Sequence, residues 1–195
     1  MAFWTDSTLQ DPKRAYRFGV TIGGNADFGG FLFYAKKCSR PKMSMTEVKQ
    51  AYLNYDFWFP GRYTWEAVTL TVVDIVNPDV SAGLAQLART AGYQMPGNPN
   101  ARVTVAKNSA IGALGNMNIE MIDNLGKVLE EWSLRNAWVK DMTFSELDYA
   151  SDELSSCDIT VRFDWAELRA ANGRVFNSLD GQNERGLQSE INLAN

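Results

Sequence analysis

The chain has 195 residues, of which 45% are hydrophobic and 22% are charged, and its formal net charge is −4. This composition predicts one globular domain with appendages, and no run of about 18 apolar residues occurs that would predict a membrane-spanning helix. The sequence contains no histidine. Ser-His and Cys-His nucleophiles and histidine metal ligands are therefore excluded, and we expect a protein that is not an enzyme, with no catalytic residue, metal site or cofactor.

The first predicted elements are strands. Apolar residues alternate over 16–22, which predicts a half-buried strand. The glycine-rich segment 23–30 is not followed by a helix period or by Gly-Lys-Ser/Thr, so it predicts a hairpin connection into a strand over 31–38 and not a phosphate-binding loop. A further strand is predicted over 62–74, where the alternation changes parity. A bulge near Ala67 would account for that change.

Between these strands lies a segment, 48–59, that is rich in aromatic residues. Five of them fall within eight positions: Tyr52, Tyr55, Phe57, Trp58 and Phe59. Two interpretations are open: a strand of the core, or a projecting arm whose rings are buried by another subunit. Stacking on single-stranded nucleic acid is disfavoured, because Lys49 is the only cation within this segment to meet phosphates.

One helix is well marked in the middle of the chain. Asn77 is its expected cap, Pro78 suits the first helical position and Gly92 can end it. Its apolar face is formed by Val80, Leu84, Leu87, Ala88 and Ala91. An irregular loop and a weaker helix over 103–114 follow. The two-residue period of a strand then appears over 117–121 and again over 128–134. A turn at 123–126 separates the two segments, which predicts a hairpin.

The last predicted strand spans 158–165 and has two different faces. Its apolar face is Ile159, Val161, Phe163 and Trp165, and its polar face is Asp158, Thr160, Arg162 and Asp164. After residue 168 the sequence becomes polar and rich in Gly and Asn, so we expect the tail to be mobile or ordered only by a neighbour.

Charge is distributed unevenly along the chain. Residues 1–62 contain nine Lys/Arg against five Asp/Glu, and residues 63–195 contain ten against eighteen. An acidic chain is a poor candidate for gripping duplex DNA, although it can surround DNA without holding it. We hypothesise that a basic surface of one copy meets an acidic surface of the next in head-to-tail assembly. The acids Asp141, Glu146, Asp148, Asp152 and Glu153 keep a carboxylate-based hydrolase open as an alternative.

Two further features bear on the environment of the protein. Cys38 and Cys157 lie far apart and outside any CxxC spacing, so we expect buried free thiols, and their cross-linking between subunits stays open. The first residues lack the basic and then apolar pattern of a secretory signal, so we expect a soluble protein made in the cytoplasm.

The segment 130–168 closely resembles the C-terminal half of the tail tube proteins of contractile-tailed (myovirus-type) bacteriophages, which are related to type VI secretion tube proteins. The residues that carry the resemblance are Trp132, Leu134, Asn136, Ala137, 144–149, 151–154 and 162–165. Weaker agreement is found at 17–20, 61–66, 108–110 and 114–115. The resemblance covers roughly residues 15–168 with gaps.

This resemblance implies a mainly β fold with a flanking α-helix, a β-barrel or sandwich of the phage tail tube type. It implies hexameric rings with a continuous inner β-barrel, stacked helically into the inner tube of a virion tail that is assembled in the host bacterial cytoplasm. The implied partners are further copies of the chain, tail sheath protein, tape-measure protein, and baseplate and tail-terminator proteins. Genomic DNA would pass through the bore without specific binding.

The domain organisation that follows is an N-terminal arm over 1–14, a tube domain over 15–168 with an insertion at about 93–116, and a polar tail over 169–195. In the tube family a long loop between early strands reaches the neighbouring ring, and the aromatic segment occupies the corresponding place. We expect the polar face of the last strand to line the lumen, or to meet water or an adjacent subunit. A single-ring tail terminator or baseplate adaptor with the same fold is the alternative function.

Overall fold

Strands dominate the computed structural model, which describes residues 12–23, 35–77, 79–93, 97, 104–171 and 173–176. The predicted N-terminal arm and the tail beyond 176 lie almost entirely outside the described residues. The elements in chain order are β1 Phe18–Ile22, β2 Ala35–Cys38, β3 Met43–Tyr52, β4 Tyr55–Trp65, β5 Val68–Val73, α1 Val80–Thr90, α2 Lys107–Leu114, β6 Met117–Ile122, β7 Val128–Arg135, β8 Trp138–Phe144, β9 Ser156–Arg162, β10 Trp165–Ala170 and β11 Val175–Phe176.

The strands form two antiparallel sheets and a separate two-stranded ribbon. The five-stranded sheet has the order β1-β6-β7-β10-β11, and the four-stranded sheet has the order β2-β5-β9-β8. The ribbon consists of β3 and β4 alone. Among the described strands, each sheet therefore has two edge strands, and those of the four-stranded sheet are β2 and β8.

One apolar core joins the two sheets and α1. In β5, the buried residues Val68, Leu70 and Val72 alternate with threonines, as expected for a strand with one face in the core. Val20 and Ile119 from the five-stranded sheet and Ile159 from β9 belong to the same buried cluster. The half-buried strand predicted at 117–121 is confirmed by this packing, and the strand predicted at 16–22 is confirmed over β1, whereas Tyr16 lies before β1 and is exposed.

The helix α1 covers part of this core with Val80, Leu84 and Leu87. It begins later than predicted, because the capping residue is Asp79 and not Asn77. The Asp79 side chain accepts a hydrogen bond from the backbone N–H of Ala82 at 2.9 Å. Pro78 lies outside the described residues.

The hairpin of β6 and β7 is confirmed, with Met117 opposite Leu134. Its turn is held by Asp123, whose Oδ1 accepts hydrogen bonds from the N–H groups of Leu125 at 2.7 Å and Lys127 at 2.8 Å. Gly126 has φ of 80°, which a side chain would disfavour.

One predicted strand and one predicted strand pairing are wrong. The strand predicted over 62–74 is two strands, since β4 ends at Trp65 in the ribbon and β5 begins at Val68 in the four-stranded sheet. The change of parity therefore marks a passage between sheets and not a bulge at Ala67. The pairing predicted between 16–22 and 31–38 is also wrong for the described parts of both segments, because β1 pairs with β6 and β2 pairs with β5. The predicted connection over 24–30 and residues 31–34 lie outside the described residues.

The strand predicted over 158–165 is also divided. β9 ends at Arg162 in the four-stranded sheet and β10 begins at Trp165 in the five-stranded sheet. Phe163 stays in the core at this crossing, which preserves the apolar alternation that suggested one strand. The ordered fold also extends past residue 168, because β10 continues to Ala170 and pairs with β11.

Candidate assembly surfaces

The ribbon of β3 and β4 carries the most exposed apolar surface of the described chain. Every residue of β3 and β4 is exposed except Trp65, which is half-buried. The interpretation of 48–59 as a core strand is therefore wrong. The five aromatic residues singled out in the sequence are each more than half exposed: Tyr52, Tyr55, Phe57, Trp58 and Phe59.

The register of the ribbon sorts these rings onto two faces. Residues directly opposite each other in an antiparallel pair have side chains on the same face, and successive residues alternate. Val48 pairs with Phe59, Gln50 with Phe57 and Tyr52 with Tyr55. One face is thus formed by these six residues, and we call it the aromatic face: Val48, Gln50, Tyr52, Tyr55, Phe57 and Phe59.

The opposite face of the ribbon is charged and includes Trp58. Lys49 lies opposite Trp58 in the register, and its ammonium group is 5.7 Å from the centre of the indole ring. The same Lys49 forms an ion pair with Asp56 at 2.7 Å. Trp58 is thus partly covered by a cation of its own chain, unlike the rings of the aromatic face.

A β-bulge at the base of the ribbon switches which face is apolar. The register shifts between Met45 and Glu47, where Gly61 and Arg62 of β4 face Thr46 of β3. The Oγ1 atom of Thr46 accepts a hydrogen bond from the N–H of Arg62 at 2.9 Å. Below this point the odd-numbered residues of β4 leave the aromatic face, so that Tyr63 and Trp65 lie on the opposite side.

Trp65 connects the ribbon to the body of the protein. Its ring centroid lies 5.8 Å from that of Phe163, which is buried in the core. At the base of the ribbon, Trp65 thus packs against the core from one side of the ribbon, whereas the aromatic face near the tip lies on the other side. The rings of the aromatic face therefore lie on the side of the ribbon opposite to Trp65.

The polar residues predicted for the lumen do not all lie on one strand. Asp158, Thr160 and Arg162 lie on β9, opposite Thr71, Thr69 and Trp138 of the neighbouring strands. The Thr71 hydroxyl donates a hydrogen bond to Oδ1 of Asp158 at 2.5 Å. Together with Asp141 and Thr143 of β8, these residues form a polar, threonine-rich face on the four-stranded sheet.

Asp164 does not belong to this polar face, which corrects the sequence prediction. It lies beyond the end of β9, where both of its carboxylate oxygens accept hydrogen bonds from Nζ of Lys107 in α2, at 2.7 and 2.9 Å. Asn136 donates a third hydrogen bond at 2.8 Å. These hydrogen bonds from Lys107 and Asn136 lower the pKa of Asp164, against an opposing effect of burial. Asp164 therefore fastens α2 to the crossing between the sheets.

Replacing Lys107 with alanine should lower the free energy of unfolding by less than about 1 kcal/mol at neutral pH, because both side chains are partly exposed. A carboxyl group with a lowered native pKa stabilises the fold above its unfolded pKa, and this contribution is lost as the pH falls through the native pKa. Urea unfolding of both proteins at several pH values would measure this. The difference between them should vanish at acidic pH, and a difference that persists there would contradict this role.

The acids that suggested a hydrolase are exposed on β8 and in the loop after it. Asp141 is exposed on β8, and Glu146, Asp148, Asp152 and Glu153 are exposed in residues 145–155. In the part of the chain that the structure describes, no group of three or more Cys, Asp or Glu side chains is placed to hold a metal ion. No helix among the described residues is long and apolar enough to cross a membrane.

Both cysteines are free thiols. Cys157 is buried and Cys38, at the end of the edge strand β2, is half-buried. Burial raises the pKa of the Cys38 thiol to about 12 and also raises the pKa of Cys157. Neither thiol is therefore activated as a nucleophile near neutral pH.

No protein-family model matches the sequence, and no curated protein is significantly similar to it. Solved structures do share its fold. A chain in the cryo-EM structure of the anti-feeding prophage (AFP) baseplate aligns with a TM-score of 0.60 at 12% identity, over 82% of this chain and 97% of that one. A chain in the PVC sheath–tube complex of an extracellular contractile injection system, in the extended state, aligns with a TM-score of 0.57 at 19% identity, over 82% and 93%.

A third similar structure comes from the end of such a tube. A chain in the cryo-EM structure of the AFP tube-terminating cap aligns with a TM-score of 0.54 at 20% identity, over 88% of this chain and 100% of that one. At these identities the likeness concerns the fold. The predicted fold class, mainly β with a flanking helix and of the tail tube type, is confirmed.

Proposed function

We propose that this chain is a structural component of a contractile tail or injection system, in which six copies form a ring and the rings stack into the inner tube. The observation that carries this proposal is the aromatic face of the ribbon, held out from a domain of the tail tube fold. A monomer gains nothing from exposing these rings, whereas a neighbouring ring of subunits would bury them.

Ring formation is supported by the open edges of the four-stranded sheet. Unpaired strands are prone to uncontrolled pairing, and a closed ring of identical copies removes such edges. If β8 of one copy meets β2 of the next, the sheets of six copies join into one continuous inner barrel. This arrangement uses each edge once in every subunit.

The polar face of the four-stranded sheet is the proposed lining of the bore. Across the four strands this face carries Asp141 and Asp158 against Arg162 and Lys37 among threonines, because Lys37 of β2 lies opposite Thr71, so these charges balance. A wall of hydroxyl groups without net positive charge does not hold a passing polyanion such as genomic DNA. In a phage tail, DNA would be the cargo, with tape-measure protein before it.

If this chain forms the inner tube of a virion tail or injection particle, its other partners are the proteins that adjoin the tube. Sheath protein would surround the tube, and baseplate and terminator proteins would adjoin its two ends. A second candidate function is a single-ring terminator or baseplate adaptor, which is favoured by the similarity to chains in the AFP cap and baseplate structures.

Electron microscopy of the purified full chain tests the proposal and separates the two candidates. Long hollow rods, formed above a critical concentration, are expected for a tube protein. Isolated hexameric rings that do not elongate, even when seeded with sheared rods of a related tube, would support the terminator function. A protein that stays monomeric at every concentration would contradict both.

A further inference from the structure

The loop between β8 and β9, residues 145–155, is an acidic projection with apolar side chains at its surface. It contains Glu146, Asp148, Asp152 and Glu153 and no Lys or Arg. Leu147 is 90% exposed, and Tyr149 is fully exposed. Hydrogen bonds hold the loop in shape: Ser145 N–H donates to the carbonyl of Ser156 at 2.9 Å, and Ala150 N–H donates to Asp148 Oδ1 at 3.0 Å.

A groove between the edge strands β1 and β2 has the opposite character. Its volume is about 680 Å³. Its apolar lining includes Phe18, Ile119 and Met121, and its cationic lining is Lys36, Lys37 and Arg40. The segment 35–42 contains four cations and no acid. Arg40 is engaged with Glu130 at 3.5 Å, whereas Lys36 and Lys37 have no ion pair with any described residue.

These two features lie at opposite edges of the same sheet. The groove adjoins β2 and the acidic loop leaves β8, and β5 and β9 lie between them. Three strand spacings separate the two edge strands by roughly 14 Å. Within one copy, the loop therefore lies across the sheet from the groove. A second copy placed head to tail, with its β8 beside β2 of the first, would bring its loop to the groove of the first.

We propose that the acidic loop of each copy docks in the basic groove of the next copy around the ring, with Leu147 and Tyr149 against the apolar lining and the acids facing Lys36 and Lys37. This inference rests on the proposed ring assembly and names the contact that directs it. The contact is heterologous, because different surfaces of the two copies meet, and such contacts generate rings when the rotation closes. Exposed charges of this kind mainly set the rate and the specificity of association.

Two charge-reversal variants of the full chain test this contact. The groove variant carries Lys36→Glu and Lys37→Glu, and the loop variant carries Glu146→Lys, Asp152→Lys and Glu153→Lys, which makes the loop basic and leaves the Asp148 hydrogen bond in place. Each variant alone has like charges on both surfaces, so ring formation at about 0.15 M salt, followed by sedimentation velocity and electron microscopy, should fall at least roughly tenfold. Lys127→Glu, in the turn between β6 and β7, is the matched control and should assemble normally.

A 1:1 mixture of the two variants tests whether complementary charges restore assembly. The basic loop of one variant then faces the acidic groove of the other, and the acidic loop faces the basic groove, so alternating six-membered rings should form again. Normal assembly by each variant alone would overturn the docking contact while the ring proposal stands. Two folded variants whose mixture fails to assemble would also overturn it. Wild-type protein that forms no ring would instead remove the proposed function on which this inference rests.

Discussion

Replacing Phe57 and Phe59 with serine should abolish the stacking of rings into tubes and leave the folded domain nearly unchanged. Both rings are more than half exposed and lie on the aromatic face, and neither belongs to the core cluster. Burying a fully exposed ring contributes about 1.5–3 kcal/mol, and since about half of each ring is exposed, the two rings in each contact together contribute about 1.5–3 kcal/mol. The equilibrium constant for adding a subunit contact should fall roughly 10- to 10²-fold.

The critical concentration for tube formation, measured by pelleting, reports this effect, and the midpoint of urea unfolding reports the fold. Glu47→Ser is the matched control, because Glu47 lies opposite Pro60 on the other face of the ribbon. Trp58→Ala should weaken stacking less than the phenylalanine pair, since Trp58 lies on the charged face of the ribbon, opposite Lys49. If Trp58→Ala prevented stacking and the double variant did not, the charged face would be the one that contacts the next ring.

Local patterns in the sequence predicted the strands whose one face is buried. In β5 and β6, alternation alone distinguishes core from surface, because each strand has one buried face. The alternation does not show, however, which other strand each of these strands pairs with. β1 and β2 are neighbours in the chain and yet lie in different sheets, since their partners β6 and β5 are distant in sequence.

The ends of elements were less predictable because several residues satisfy the same local rule. Asn77 and Asp79 are both suitable caps, and only the hydrogen bond to Ala82 identifies Asp79. The crossing at Phe163 and Asp164 has no glycine or proline to mark it. Asp164 was therefore assigned to a strand face, although its partner Lys107 lies far away in the chain.

The sequence predicts the location of the candidate assembly surface in the chain but not which of its rings share a face. Aromatic density identified the segment 48–59, but a strand pattern does not reveal whether a neighbouring element covers either face. Pairing with β3 divides the rings between two faces, and that register depends on the bulge at Gly61. A signal for the bulge was present, because Pro60 and Gly61 inside a strand pattern are typical of such an irregularity.

Gly61→Ala should therefore disrupt ring stacking, although the substitution adds only one methyl group. A Cβ atom at this position would lie 2.3 Å from Oγ1 of Thr46 and 2.8 Å from its backbone oxygen. The bulge cannot accommodate both contacts without a shift of the ribbon. A slip of one residue in the register would move Phe57 and Phe59 to the charged face, because side chains alternate along a strand.

We expect at least a tenfold rise in the critical concentration for tubes, with little change in the unfolding of the two-sheet core. Gly112→Ala is the matched control, since a Cβ atom there meets nothing within 4 Å, and it should assemble normally. Adding Thr46→Ala to Gly61→Ala removes the contact with Oγ1 but keeps the contact with the backbone oxygen, so it should restore stacking only in part. Normal tubes from the Gly61→Ala protein would mean that the bulge does not determine which face of the ribbon reaches the next ring.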